Sequence, residues 1–343
     1  MSVWNNIKRI ISSKGMGQVL TVSLGLIVLC FVFSMLNPTF FSAMNVRNLL
    51  RQIAPILIIG IGQSYVLITG NIDLSIGSVV GMSCMMSATM MTKGVDPTLA
   101  VLITIICCLM IGCTNGVLVS NLKLPPFIAT LGTMTVARGV AQIVNHNYNT
   151  DSINKLIDAT KFQDFFYYGK TLGIFNTILI AIVLWLIFNF LLSGTRSGRH
   201  IYAVGSNKEA ARLSGVNINL TILKAYLVSS FCACVVGFII CATSGTGTMD
   251  AGISYEMYAV AASVIGGVST LGGQGILLGT VIGASIWGVL QNGLQFAGAP
   301  VAIRNITIGV IVVISVLLDV IIRSGRVVRK KSDLPSEMPE AES

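Results

Sequence analysis

Ten stretches of the chain are apolar over most of their length, at about 18–36, 49–69, 74–92, 98–119, 125–144, 172–192, 224–243, 256–271, 276–297 and 303–322. The first, third, fourth, sixth and ninth contain no Asp, Glu, Lys or Arg. A hydrocarbon core about 30 Å thick takes about 20 such residues per helix. Inside it every backbone polar group needs an internal partner, which leaves only helices or a closed barrel. Barrel strands alternate in polarity with a period of two, whereas these stretches are apolar on every face, so helices are implied. The expected fold is an all-α membrane protein of about ten transmembrane helices. Composition agrees, with 54% hydrophobic and 10% charged residues, against about a quarter charged in soluble domains.

The formal net charge of +9 would suit nucleic acid, but its placement follows membrane orientation instead. With the N-terminus inside and ten crossings, the inner segments carry Lys8, Arg9, Lys14, Lys123, Arg196, Arg199, Lys208, Arg212, Lys224, Arg323, Arg326, Arg329, Lys330 and Lys331. The outer segments hold Arg47, Arg51, Lys93, Lys155, Lys161, Lys170 and Arg304. That asymmetry is the positive-inside pattern and places both termini in the cytoplasm. The first apolar stretch follows basic residues as a signal peptide would, yet it is too long, lacks an Ala-x-Ala-like site and leads into nine more.

The organisation expected is a cytoplasmic segment 1–17, a polytopic domain 18–322 and a cytoplasmic tail 323–343. Ten spans make two fives, and an odd offset sets the halves in opposite orientation, as in inverted repeats. Gly-interrupted segments occur in both, "LITGNIDLSIG" and "IGGVSTLGGQG", although no residue-by-residue alignment joins them. All eight cysteines fall in apolar windows and read as small buried hydrophobes. His146 and His200 have no neighbours at metal-ligand spacing, so no metal site is expected.

Four motifs stand out. In the inner segment 193–223, "GSNKEAARLSG" sets Ser206 three residues before Glu209, a capping box, and ends on Gly215, a left-handed helix stop. The helix between is too short to be stable alone and too charged for lipid. It is either a knob for another protein's groove or a helix resting on headgroups. In "TGNIDLSIGS", Asn71, Asp73 and Ser75 are N-cap types between two apolar spans; Asp73 caps the next helix or contacts cargo. In "LPPFIATLGTMTVARG", Thr130, Thr133 and Thr135 form a polar stripe, and Arg138 snorkels outward or faces a watery cavity. Glycines spaced by four (Gly77 and Gly81, Gly112 and Gly116, Gly275, Gly279 and Gly283) allow close helix approach.

Smaller features complete the reading. The aromatic run Phe162, Phe165, Phe166, Tyr167 and Tyr168 reads as an interfacial belt or an external docking surface, and Asp319 with Arg323 as a local pair. No GxxxxGK[ST] loop is present, so an energy-driven transporter of this kind borrows its ATPase or uses an ion gradient.

Taken together with "FFSAMNVRNLLRQ", "GRHIYAVGSNKEAARLSGVN", "SYEMYAVAASVIGGVSTLGGQGILLGTVIGA" and "QNGLQ", these motifs resemble the permease subunit of ribose-type ABC importers, in blocks spread over residues 40 to 320. The resemblance implies a multi-pass protein of the bacterial inner or plasma membrane, passing a neutral monosaccharide or polyol inward. It implies a second permease subunit, cytoplasmic ABC ATPase subunits and an external sugar-binding protein, with no cofactor in this chain because ATP and Mg²⁺ belong to the ATPase. It also makes Gly205, Ser206, Asn207, Lys208, Glu209, Ala210, Ala211, Arg212 and Gly215 the ATPase-coupling loop. Asn71, Asp73, Ser75, Thr130, Thr133 and Asn292 are the candidate pathway residues. The chain departs from the family pattern at Asn71 and at Tyr258, so the cargo is not fixed by the resemblance. The rival reading is a stand-alone ion-coupled transporter, for which Asp73 and Glu256 are the placed carboxylates; an intramembrane enzyme would need a catalytic polar pair that is not evident.

Overall fold

The apolar windows fold into helices of two kinds, spanning and short. A computed structural model describes residues 16–321 except 305, 308, 312, 315 and 318–320. The helices are α1 (Met16–Leu36), α2 (Ala43–Ile68), α3 (Ile76–Thr92), α4 (Pro97–Ser120), α5 (Pro126–Val144), α6 (Ala159–Gln163), α7 (Asn176–Gly194), α8 (Arg196–Ser206), α9 (Lys208–Leu213), α10 (Ile218–Ser244), α11 (Tyr255–Ile265), α12 (Leu277–Phe296) and α13 (Val301–Ile311). Among the described residues seven are long and apolar enough to cross a membrane: α1, α2, α4, α5, α7, α10 and α12. The ten windows therefore give a multi-span helical bundle in which α3, at 17 residues, and α11, at 11, are shorter apolar helices, while residues 313, 314, 316 and 317 beyond α13 are also helical. The 1–15 segment, the Asp319–Arg323 pair and the 323–343 tail lie outside the described residues.

The window at 256–271 is not one continuous helix. At about 1.5 Å per residue the 11 residues of α11 reach only about half-way through a bilayer core. The helix stops where Gly266 and Gly267 remove the side chains that favour it, and Gly267, Gly272, Gly273 and Gly275 all adopt positive φ. Such irregular backbone is tolerated at depth only inside protein, and residues 266–269 are buried. Gly275, with φ 144°, therefore lies outside the helical glycine row expected for it. Gly279 and Gly283 do serve as close-approach points, since a Cβ on either would fall within about 2 Å of the Gly266 or Ala262 carbonyl oxygen.

A second break separates α2 from α3. Gly70 (φ 75°) takes the left-handed position after α2, with its amide bonded to the Leu67 carbonyl and the Asn71 amide to the Val66 carbonyl. Residues 71–75 then run without helix before Ile76. The centre of the bundle is α2, α3 and α10, while α1, α4, α5 and α7 turn residues such as Leu24, Phe31, Ile106, Val136 and Phe190 outward as a bilayer-facing coat. Cys113 sits on that coat and is exposed, unlike the buried Cys84, Cys108, Cys232, Cys234 and Cys241.

The loops gather at two ends. At one, a hairpin of β1 (Lys170–Thr171) and β2 (Ile174–Phe175) turns through Leu172 and Gly173, both at positive φ. There the Thr150 and Ile153 amides donate to the Gly247 and Gly245 carbonyls. The aromatic run divides at this end: Phe162 and Phe166 pack against Phe238 in the core, while Phe165 and Tyr168 stay exposed. Arg138 is half-buried; its Nη1 donates to the carbonyls of Met249 and Ala251, both at 2.9 Å, and so holds the loop after α10 against α5.

Candidate functional site

At the opposite end α8 and α9 form the polar knob. Thr195 caps α8 through the Gly198 amide. The capping box expected from Ser206 and Glu209 is absent: Ser206 is the last residue of α8, and Asn207 is the N-cap of α9, its Oδ1 accepting from the Ala210 amide at 3.0 Å. The extended Asn207 (φ −161°, ψ 108°) divides the stretch into two short helices, so Ser206 is spent on ending the first. Glu209 instead pairs with Arg212 on the exposed surface. Gly215, at φ 79°, stops α9 as expected, with the Val216 amide returning to the Ala211 carbonyl. Ala211 is buried; Lys208, Glu209, Ala210, Arg212 and Leu213 are exposed, Leu213 at 86%.

The root of this knob touches both helix breaks. A Cβ on Gly205 would lie 1.7 Å from the Ile68 carbonyl oxygen at the end of α2 and 2.5 Å from the Gly273 amide nitrogen. That amide donates to the same Ile68 carbonyl at 2.8 Å. Tyr202 donates to the Gly275 carbonyl at 2.6 Å, and burial pushes its phenol up to about 12, so it stays a donor. α8 is thus in direct contact with residues 68–70 and 272–275 through backbone atoms.

The candidate pathway residues fall into two groups. Asp73, Ser75 and Thr133 belong to one buried network. Asp73 Oδ1 accepts from the Ser75 amide (2.9 Å) and hydroxyl (2.6 Å), and Oδ2 from the Ser229 hydroxyl (2.7 Å). Ser75 in turn accepts from Asn115 Nδ2 (2.9 Å), whose Oδ1 accepts from Thr133 (2.6 Å). Tyr226 donates to the Ile72 carbonyl at 3.0 Å. The network ties the 71–75 break to α4, α5 and α10. Ser75 is the N-cap of α3, and Asp73 takes the Ser75 amide just before it, so the carboxylate closes the turn into the helix.

Asn71 bonds within its own turn to Thr69, and Thr130 to the Pro126 carbonyl of its own helix. Asn292 is elsewhere, in a reciprocal amide pair with Asn45 at 3.0 and 3.1 Å that joins α12 to α2. Asn45, Asn115, Tyr226 and Ser229 were not singled out in the sequence; an amide alone in an apolar span, as Asn115 is, was the available signal.

At the hairpin end a cleft of about 440 Å³ opens between α2, α10, α11, α12 and α13. Its wall carries Tyr255, Tyr258 and Trp287, with Tyr258 and Trp287 ring centroids 4.8 Å apart. Arg51 at its rim lies over the rings of Tyr167 (3.7 Å) and Phe175 (4.2 Å) and donates to the Tyr167 carbonyl. None of the candidate pathway residues lines it.

Residues 45–316 match the family model described as branched-chain amino acid transport system / permease component. The chain is 36% identical over 305 residues to the ribose import permease protein RbsC of Bacillus subtilis (strain 168), covering 89% of this chain and 94% of that one. It is 32% identical over 301 residues to the D-allose transport system permease protein AlsC of Escherichia coli (strain K12), covering 86% and 89%. It is likewise 32% identical over 311 residues to the galactose/methyl galactoside import permease protein MglC of the same strain, covering 86% and 91%. No solved structure matches.

Proposed function

Because the chain belongs to the family of branched-chain amino acid transport system / permease components, we propose that it is the membrane permease of an ABC importer for sugars of the ribose and galactose type. The observation that carries this is nearly full-length similarity to import permeases for three different sugars. The chain works as a multi-pass protein of the bacterial inner membrane and does not itself catalyse a reaction. A cytoplasmic ATPase and an external binding protein complete the importer. In the same reading the chain pairs with a second permease subunit, identical or paralogous, crosses the membrane about ten times and keeps both ends in the cytoplasm.

The knob end faces the cytoplasm on this reading, because it carries Lys123, Arg196, Arg199, Lys208, Arg212 and Lys224. The exposed face of α9 with Gly215 behind it is the ATPase contact, and Gly205 to Asn207 is the lever that passes its movement to the two breaks. Cargo moves past elements that the Asp73 network holds, so Asp73, Ser75 and Thr133 shape the pathway by positioning helices, Asn292 does so through its pair with Asn45, and Asn71 and Thr130 act within their own turn and helix.

Reversing the charge of Glu209 tests the coupling. Its side chain is 70% exposed, so Glu209→Arg leaves the fold intact while setting a like charge beside Arg212 and against any basic or charge-paired partner surface. Uptake by the reconstituted complex should fall at least about tenfold, with ATPase stimulation lost in parallel. Undiminished transport by this variant would remove α9 from the coupling path.

A further inference from the structure

The cleft at the hairpin end has the chemistry of a ligand site. Its volume of about 440 Å³ lies in the range of about 300–1,000 Å³ usual for small-molecule pockets. Tyr258 presents ring surface, whose electron-rich face attracts the polarised C–H groups of a sugar ring, and it is backed by the buried ring of Trp287. Gln52, Gln291 and Gln295 add amides, each able to donate to and accept from hydroxyls.

Charge narrows the ligand further. Among the described residues no carboxylate lines the cleft, whereas Arg51 and Arg304 do, so a cationic solute is disfavoured. The Arg51 guanidinium is already engaged by two rings and a carbonyl, which leaves its charge partly answered. The Nε atoms of Arg51 and Arg304 are nevertheless buried without a hydrogen-bond partner, two donors that lack an acceptor.

A third orphan lies deeper. Gln63 is fully buried, and neither Nε2 nor Oε1 has a partner. It falls seven residues after Ile56 and eleven after Gln52, both of which line the cleft; those spacings return to the same face of a helix, with Gln63 about 10 Å below Ile56. Ile56 and the fully buried Ile59 fill the stripe between them. An amide left unsatisfied in a helical core is destabilising, and a transient ligand is one reason for a chain to keep it.

We propose that this cleft is a cargo-binding vestibule within the permease, that it takes a neutral polyhydroxylated solute on Tyr258 and Gln291, with Trp287 buried behind the Tyr258 ring as its support, and that Gln63 is the next polar contact inward, past an apolar plug at Ile56 and Ile59. The inference rests on the reading of the chain as a sugar permease. It adds the place where sugar meets the chain, which none of the candidate pathway residues marked.

The test has two arms. In proteoliposomes holding the complete importer, initial uptake of D-ribose and D-galactose at low concentration should fall roughly tenfold in Tyr258→Ala and in Gln291→Leu. Gln63→Leu should lower the maximal rate by about as much while melting no lower than wild type, because it removes an orphaned amide. Wild-type uptake of both sugars together with undiminished uptake in all three folded variants overturns the vestibule and leaves the permease reading standing.

The second arm needs no transport. With Trp4 and Trp185 changed to Phe, Trp287 is the single tryptophan of the chain. Its fluorescence in the purified full-length chain should respond saturably to D-ribose or D-galactose, not to the cationic D-glucosamine, and the response should vanish with Gln291→Leu. Failure of transport with a preserved fluorescence response would sink the importer reading alone. A flat fluorescence response to both neutral sugars, or a stronger one to D-glucosamine, overturns the vestibule.

Discussion

Replacing Gly205 with alanine is expected to abolish transport, and to do so by destroying the seam between the knob and the two helix breaks. The new Cβ would stand 1.7 Å from the Ile68 carbonyl oxygen and 2.5 Å from the Gly273 amide nitrogen. Both are backbone atoms, so no side chain can swing aside. Either α8 moves away, losing the Tyr202 bond to the Gly275 carbonyl, or the Gly273 to Ile68 hydrogen bond breaks. Overpacking against fixed backbone costs about 3 kcal/mol or more, a large part of a marginal stability. The variant should therefore show reduced yield of monodisperse protein and no sugar uptake in the complete importer. Gly132→Ala is the control: it lies within α5, away from the knob, where an added Cβ meets open space and the backbone is helical, so it costs little. Equal behaviour of the two variants would mean that the Gly205 contact transmits nothing.

Asp73 carries the second large effect. Its carboxylate accepts from the Ser75 amide and from the hydroxyls of Ser75 and Ser229. Asp73→Ala leaves these donors in a fully buried site, at about 1–3 kcal/mol for each group that finds no substitute. The hydroxyls can rotate to other acceptors, whereas the Ser75 amide cannot, so the loss should be largest at the entry to α3. Asp73→Asn keeps one acceptor oxygen for that amide and should recover much of the stability. Thermal melting in detergent separates the three proteins, in the order wild type, Asn, Ala. An Ala variant that melts with wild type would show that the break between α2 and α3 is held by packing alone.

Length and apolarity made the bundle legible. A stretch of about 20 residues that is apolar all round has one stable form in lipid, and among the described residues seven of the windows are helices of spanning length. Local chemistry was equally readable where it acts over a few residues: Gly215 ends α9, and Gly279 and Gly283 let backbones meet. Reading failed where two local solutions compete. Ser206 and Asn207 are both good N-caps, and a Glu three residues after Ser206 favoured the wrong one; the chain uses Asn207 because Ser206 finishes α8. The window at 256–271 misled in the same way, since hydropathy counts residues and not the glycines that let a buried backbone leave the helix.

By itself, then, the order of residues determined that the chain lives in a membrane as helices, which loops are charged, and that a short capped helix stands at the knob, because each of these follows from interactions within one segment. Only the tertiary structure decided that Arg138 is held by the carbonyls of Met249 and Ala251, that Asp73 reaches Ser229, that Gly205 abuts Ile68 and Gly273, and that Trp287 and Gln291 share a cleft with Arg51. Those pairs lie tens to hundreds of residues apart, and spacing along a chain carries no information about which faces of distant helices are brought together by packing.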